Sequence, residues 1–140
     1  LPAGDRGENM QAAIGCCQAA LRVYAEDRFP QDWAMTQNNL GVAHANLPAG
    51  DRGENLQAAI GYYQAALRVR TEDRFPQDWA TTQNNLGLAL RDSANHPEEL
   101  ALALTAFRNA ERGYLAIGLE DDAQRARQAA ERVEKRLSGS

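Results

Sequence analysis

Two short stretches hold most of the binding chemistry this chain offers. The segment TQNNLG occurs at residues 36–41 and again at 82–87, so the amide pairs Asn38–Asn39 and Asn84–Asn85 recur 46 residues apart. A side-chain amide both donates and accepts hydrogen bonds, and can read an extended peptide backbone without regard to its side chains. Each copy lies in a stretch with helical periodicity, where two asparagines and a glycine cost roughly 2.4 kcal/mol relative to alanine. The sequence accepts that cost twice, at the same place.

Covalent and metal chemistry find less support. Cys16 and Cys17 are adjacent and are the only cysteines, which gives neither a disulfide framework nor a CxxC zinc spacing. Cys17 falls on an apolar helical face as a small core residue, and nothing local lowers its thiol pKa toward nucleophilic use. His44 and His96 stand at a helix end and in a loop, far apart in sequence, so no metal site is expected. No glycine-rich phosphate loop and no serine or cysteine elbow occurs. The carboxylates are scattered over solvated faces, not paired. A non-catalytic protein without cofactor is expected.

The 140 residues are 44% hydrophobic and 24% charged, ordinary values for a folded protein. The net charge of −4 is well mixed, so no long-range field draws the chain to nucleic acid or membrane. No apolar run approaches the ~20 residues of a membrane span. Aromatic residues make up 6%, and abundant alanine favours close-packed helices. The chain opens on Leu-Pro-Ala-Gly and closes on Ser-Gly-Ser, which reads as a piece cut from something longer, with residues 138–140 as a flexible tail. A reducing, cytoplasmic setting is the default.

The elements that position these groups come in repeats. Residues 1–46 and 47–92 are two copies of one unit that differ at ten of 46 positions. A third copy, residues 93–137, is legible at an offset of 44: Ala59, Tyr63 and Ala66 map onto Ala103, Phe107 and Ala110, and Trp79, Leu86 and Ala89 onto Ala123, Ala130 and Val133. Its loss of Trp and Asn and gain of Arg, Gln and Glu suit a capping unit with one face in water. Residues 1–137 are expected to form one array. Asp51, with Glu54 three residues on, resembles a capping box that starts a helix running through Arg70. That helix is apolar on two sides, through Leu56, Ala59, Ile60, Tyr63 and Ala66 and through Ala58, Tyr62, Ala65 and Val69, as a middle layer would be. Phe75-Pro76 ends that stretch and opens the next helix, which runs to about Asp92. A second-type helix over residues 5–27 lacks a first helix of its own, and the last helix covers roughly 121–137. Six helices and no strand are expected.

On the helix from Pro76, Trp79, Leu86 and Leu90 share one face, with Thr82, Gln83 and Gly87 beside it. Gly87 admits a neighbouring backbone. Thr81, Asn84, Asn85 and Leu88 share the opposite face, as Met35, Asn38, Asn39 and Val42 do one repeat earlier. Trp33 and Trp79 read as packing residues at the repeat junctions.

NLG-x-A at residues 39–43 and 85–89, followed by Ala59, Tyr63 and Ala66, resembles the tetratricopeptide repeat. WATTQNNLG looks like the longer repeats of kinesin light chain and of large bacterial signalling proteins. The resemblance spans nearly the whole chain, with two departures: a unit of 46 residues against an ordinary 34, and a tryptophan displaced one turn earlier. It implies a right-handed α-solenoid of antiparallel helix pairs, acting as a protein–protein interaction scaffold. The first helix of each pair then lines a concave groove, and the asparagine before Leu-Gly, here Asn39 and Asn85, holds a peptide backbone, with Asn38, Asn84, Thr81 and Leu88 beside it. Family members that bind carboxylates add basic residues, and here the last helix sets Arg125 at the Thr81 position and Arg132 at the Leu88 position, which implies an acidic ligand. Self-association through exposed solenoid ends is expected. The rival expectation is a structural spacer or self-assembling array, natural or consensus-built, that holds no specific ligand.

Overall fold

A computed structural model describes residues 6–139. These contain six α-helices and no strand: α1 (Arg6–Leu21), α2 (Pro30–Ala45), α3 (Arg52–Leu67), α4 (Pro76–Ser93), α5 (Pro97–Ala116) and α6 (Glu120–Ser138). The all-α class and the six helices agree with the periodicity. The helix start expected at Asp5 and the tail residue Ser140 lie outside the described residues. Ser138 ends α6, and Gly139, at a φ of 76°, closes it in the left-handed conformation that glycine adopts freely.

The chain divides into two compact units, residues 1–69 and 70–140. In the first, α1 packs on α2 and α2 on α3; in the second, α4 packs on α5 and α5 on α6. Packing of each helix on its sequence neighbour is what a helical repeat requires.

The starts follow from local chemistry. Pro30 and Pro76 sit in the first turns of α2 and α4, where a missing N–H costs nothing. The preceding Phe29 and Phe75 leave helical geometry, and their carbonyls accept from Trp33 N at 2.9 Å and Trp79 N at 2.8 Å. At α3 the Asp51 carboxylate accepts from the Glu54 amide at 2.9 Å, the first half of the expected capping box. Two helices end sooner than expected, α1 at Leu21 and α3 at Leu67. In both, the next two amides bond three residues back: Arg22 and Val23 to Ala19 and Ala20, Arg68 and Val69 to Ala65 and Ala66. This tightened turn releases the chain into the loops before Phe29 and Phe75.

In the first unit Ile14, Leu40, Ala43 and Leu47 form a buried cluster, edged by Met10, Cys17, Leu21 and Tyr62. Leu47 lies in the connection after α2, where the sequence suggested no packing role. In the second unit Phe107, Val133 and Thr82 are fully buried, and Trp79, Leu86 and Leu90 share the core face as expected. Ala123, Ala130 and Val133, the degenerate counterparts of Trp79, Leu86 and Ala89, are all buried.

The mid-helix glycines now have a cause. A Cβ on Gly87 would stand 2.8 Å from two carbons of the Phe107 ring, and Gly41 faces the Tyr63 ring in the same way. The sequence suggested close approach of a backbone; the structure brings in an aromatic ring from the following helix.

Each tryptophan is roofed by a guanidinium. Arg68 lies 5.0 Å from the Trp33 ring centroid and grips Glu26 through Nη2 (2.8 Å) and Nε (3.3 Å). Arg112 lies 5.3 Å from the Trp79 centroid and grips Glu72 through Nη2 and Nε, both at 3.1 Å. The hydrogen bonds from Arg68 and Arg112 hold the Glu26 and Glu72 carboxyls below their ordinary range. These pairs face solvent, so they fix the register of the loop on the indole more than they add stability.

Candidate functional site

The sequence-predicted residues fall into two groups. In the second unit Asn84, Leu88, Arg125 and Arg132 line one open groove of about 380 Å³. Its wall is completed by Arg91 on α4, Tyr114 on α5, and Asp122, Gln128 and Ala129 on α6. Thr81 joins at the edge, its hydroxyl 3.0 Å from the Tyr114 hydroxyl. Asn85 is half-buried and does not line this groove. In the first unit Asn38 is buried and Asn39 exposed.

Helix geometry explains the exchange of Asn85 for Asn84. Successive residues turn by about 100°, so residues 81, 84, 88 and 91 form one ridge while residue 85 stands on its shoulder. α6 repeats that spacing with Arg125, Gln128 and Arg132, and the two ridges form opposite walls.

The groove is cationic. It holds three guanidiniums, of Arg91, Arg125 and Arg132, against the single carboxylate of Asp122. Arg91 Nε is bonded to Asp92 at 2.9 Å, and Arg125 is paired with Asp122. Arg132 has no ion-pair partner among the described residues. Leu88 and Ala129 add apolar surface, and Asn84 and Gln128 add groups that both donate and accept. Burial raises the pKa of Tyr114, which keeps its phenol a neutral donor and acceptor. Nothing in the sequence pointed to Tyr114: its counterpart at the offset of 44 is Arg70, which binds the Thr82 hydroxyl at 3.2 Å.

Behind the groove, α5 and α6 are joined by charge. Glu111 accepts from Arg108 at 3.0 Å and from Arg127 at 2.7 Å, and Arg108 also reaches Glu134 at 2.6 Å. The Arg127 hydrogen bond, followed by that from Arg108, lowers the Glu111 pKa.

The remaining candidates sit elsewhere. Cys16 is exposed and Cys17 half-buried, and burial, with the second thiol beside it, pushes the Cys17 pKa up, away from thiolate chemistry. His96 is exposed before α5. His44 stacks on Tyr62 with ring centroids 5.2 Å apart, and neither buried ring nitrogen meets a hydrogen-bond partner among the described residues. Burial lowers its pKa from 6.5. The second copy carries a buried leucine there, Leu90.

The neutral imidazole is thus the form the folded state favours. The stability tied to it is complete above pH about 6.5 and is lost progressively as pH falls below that value toward the folded pKa. His44→Leu is expected to flatten the pH dependence of urea midpoints below that point. It should also stabilise the first unit by about 1–2 kcal/mol, since two buried unpaired nitrogens disappear.

Among the described residues no group of three or more His, Cys, Asp or Glu is placed to hold a metal, and no helix is long and apolar enough to cross a membrane. In comparisons with protein-family models, with curated proteins and with solved structures, nothing matches this chain.

Proposed function

We propose that this chain is a tetratricopeptide-like interaction scaffold whose second unit binds an extended, acidic peptide segment in the groove between α4 and α6. The observation that carries this reading is the convergence of Asn84, Arg125 and Arg132 with Leu88 and Tyr114 on one open concavity. Three guanidiniums facing one carboxylate suit a ligand rich in carboxylates, because a charge-assisted hydrogen bond is roughly twice as strong as a neutral one. Asn84 supplies a donor and an acceptor for the ligand's backbone, and Leu88 with Ala129 takes an apolar side chain. The role is binding, without chemical turnover, in a cytoplasmic setting.

The test is fluorescence anisotropy of short labelled peptides that differ only in their number of Asp and Glu residues. Affinity is expected to rise with that number. Asn84→Ala should weaken binding about tenfold, the cost of one buried hydrogen-bonding group, while Asn39→Ala in the first unit leaves it unchanged. If no peptide in the series binds, or affinity ignores the acidic count, the chain is a spacer and the groove is not its site.

A further inference from the structure

The sequence of α1 is that of α3 with three changes, Met10 for Leu56, Cys16 for Tyr62 and Cys17 for Tyr63. The two helices differ sharply in what covers them. In α3, Ala59 and Ala66 are fully buried and Tyr63 is 2% exposed, and Tyr63 lies against Gly41 of α2. In α1 the matching Ala13 is exposed, and Ala20 and Cys17 are only half-buried. Ile14, by contrast, is buried like Ile60, because α2 covers that side of α1. Among the described residues nothing covers one apolar face of α1, and α3 shows what such a face takes: a helix of the α2 type, packed along Ala, aromatic, Ala.

We infer that the open face of α1 docks a helix of the α2 and α4 type, carrying a side chain larger than glycine at the position of Gly41. The size requirement comes from Cys17. In α3 a tyrosine ring fills the glycine notch, and in α1 a thiol stands in its place, so glycine opposite it would leave a void the size of the ring. This chain does not supply that helix from a second copy. Its α2 and α4 are already engaged through Gly41 and Gly87, and α6 places the exposed carboxylate of Glu131 at the notch position. The inference does not rest on the groove of the second unit.

The probe is a synthetic peptide of residues 29–46 with Gly41→Leu, added to the whole chain. The readout is the iodoacetamide alkylation of each cysteine, followed by mass spectrometry. The matching positions of α3 differ in burial, with Tyr63 buried and Tyr62 half-buried. Cys17 should therefore be protected about tenfold or more, with Cys16 as the internal reference. Ala20→Glu, on the bare face, should abolish protection, and Ala19→Glu, beside it, should not. The peptide with Gly41→Leu should bind more tightly than the unmodified one; in Cys17→Tyr, where the ring returns, labelled peptides should show the opposite order. Unchanged Cys17 reactivity with the substituted peptide, or no reversal in Cys17→Tyr, overturns the inference. So does sedimentation showing that the chain alone forms a dimer that already shields Cys17.

Discussion

Gly87→Ala is expected to lower the stability of the second unit by about 1–3 kcal/mol, although alanine in an open helix position gains roughly 1 kcal/mol over glycine. The added methyl would stand 2.8 Å from two carbons of Phe107, and that ring is fully buried, with Ala103, Ala106 and Ala110 buried on the same helix. A fully buried ring in a close-packed interior has little room to shift, so the helices must part or the ring must leave its preferred rotamer. Gly61→Ala is the control: a Cβ there meets nothing within 4 Å, so this change should stabilise by about 0.5–1 kcal/mol. Combining Gly87→Ala with Phe107→Leu should recover part of the loss, because the smaller side chain vacates the contact. Urea unfolding of these variants beside the parent chain decides the matter. A stabilised Gly87→Ala would mean that the ring is mobile and the notch is not a packing device.

The second large effect concerns charge. Arg125→Glu with Arg132→Glu turns a groove with three guanidiniums and one carboxylate into one with a single guanidinium and three carboxylates. An acidic peptide should lose at least about a hundredfold in affinity, since each charged hydrogen bond contributes about 1.5–3 kcal/mol and repulsion replaces attraction. Arg132→Gln alone should cost more than Arg125→Gln, because Arg125 already neutralises Asp122 whereas Arg132 has no such partner among the described residues. Asp122→Asn should tighten binding, by releasing Arg125 to the ligand. All of these differences should shrink as salt is raised, since the Debye length is about 8 Å at physiological ionic strength. Calorimetry at two salt concentrations measures them; affinities indifferent to Asp122→Asn and to salt would place the ligand elsewhere.

Much of the fold is legible in the residues because its causes are local or periodic. Pro76 and Asp51 start helices for reasons contained within four residues, and the degenerate Ala123, Ala130 and Val133 keep a core face by spacing alone. The ends of α1 and α3 were less legible, because a tightened last turn leaves no distinctive residue behind it. No local pattern links Arg68 or Arg112 to its partners: each reaches a tryptophan and a glutamate from a different part of its unit, and only the assembled structure brings those groups together. The candidate site shows the same limit. Periodicity places Thr81, Asn84, Asn85 and Leu88 on one face of α4, but a face is wide, and 100° of rotation separates Asn84 at the groove from Asn85 on its flank. Tyr114 corresponds to Arg70 in the second copy and to Tyr24 in the first, so the repeat did not mark its position for one kind of chemistry.

The pairing of a glycine notch with the ring of the next helix also bears on how such a chain can change length. Gly41 and Tyr63 lie on opposite sides of the loop at residues 47–50, as Gly87 and Phe107 lie on opposite sides of the loop that precedes α5. A recombination break inside either loop separates a notch from its ring but rejoins it to a ring of another copy, because both notches are glycine and both rings fit. Whole units can therefore be gained or lost by unequal crossing-over without redesigning a seam.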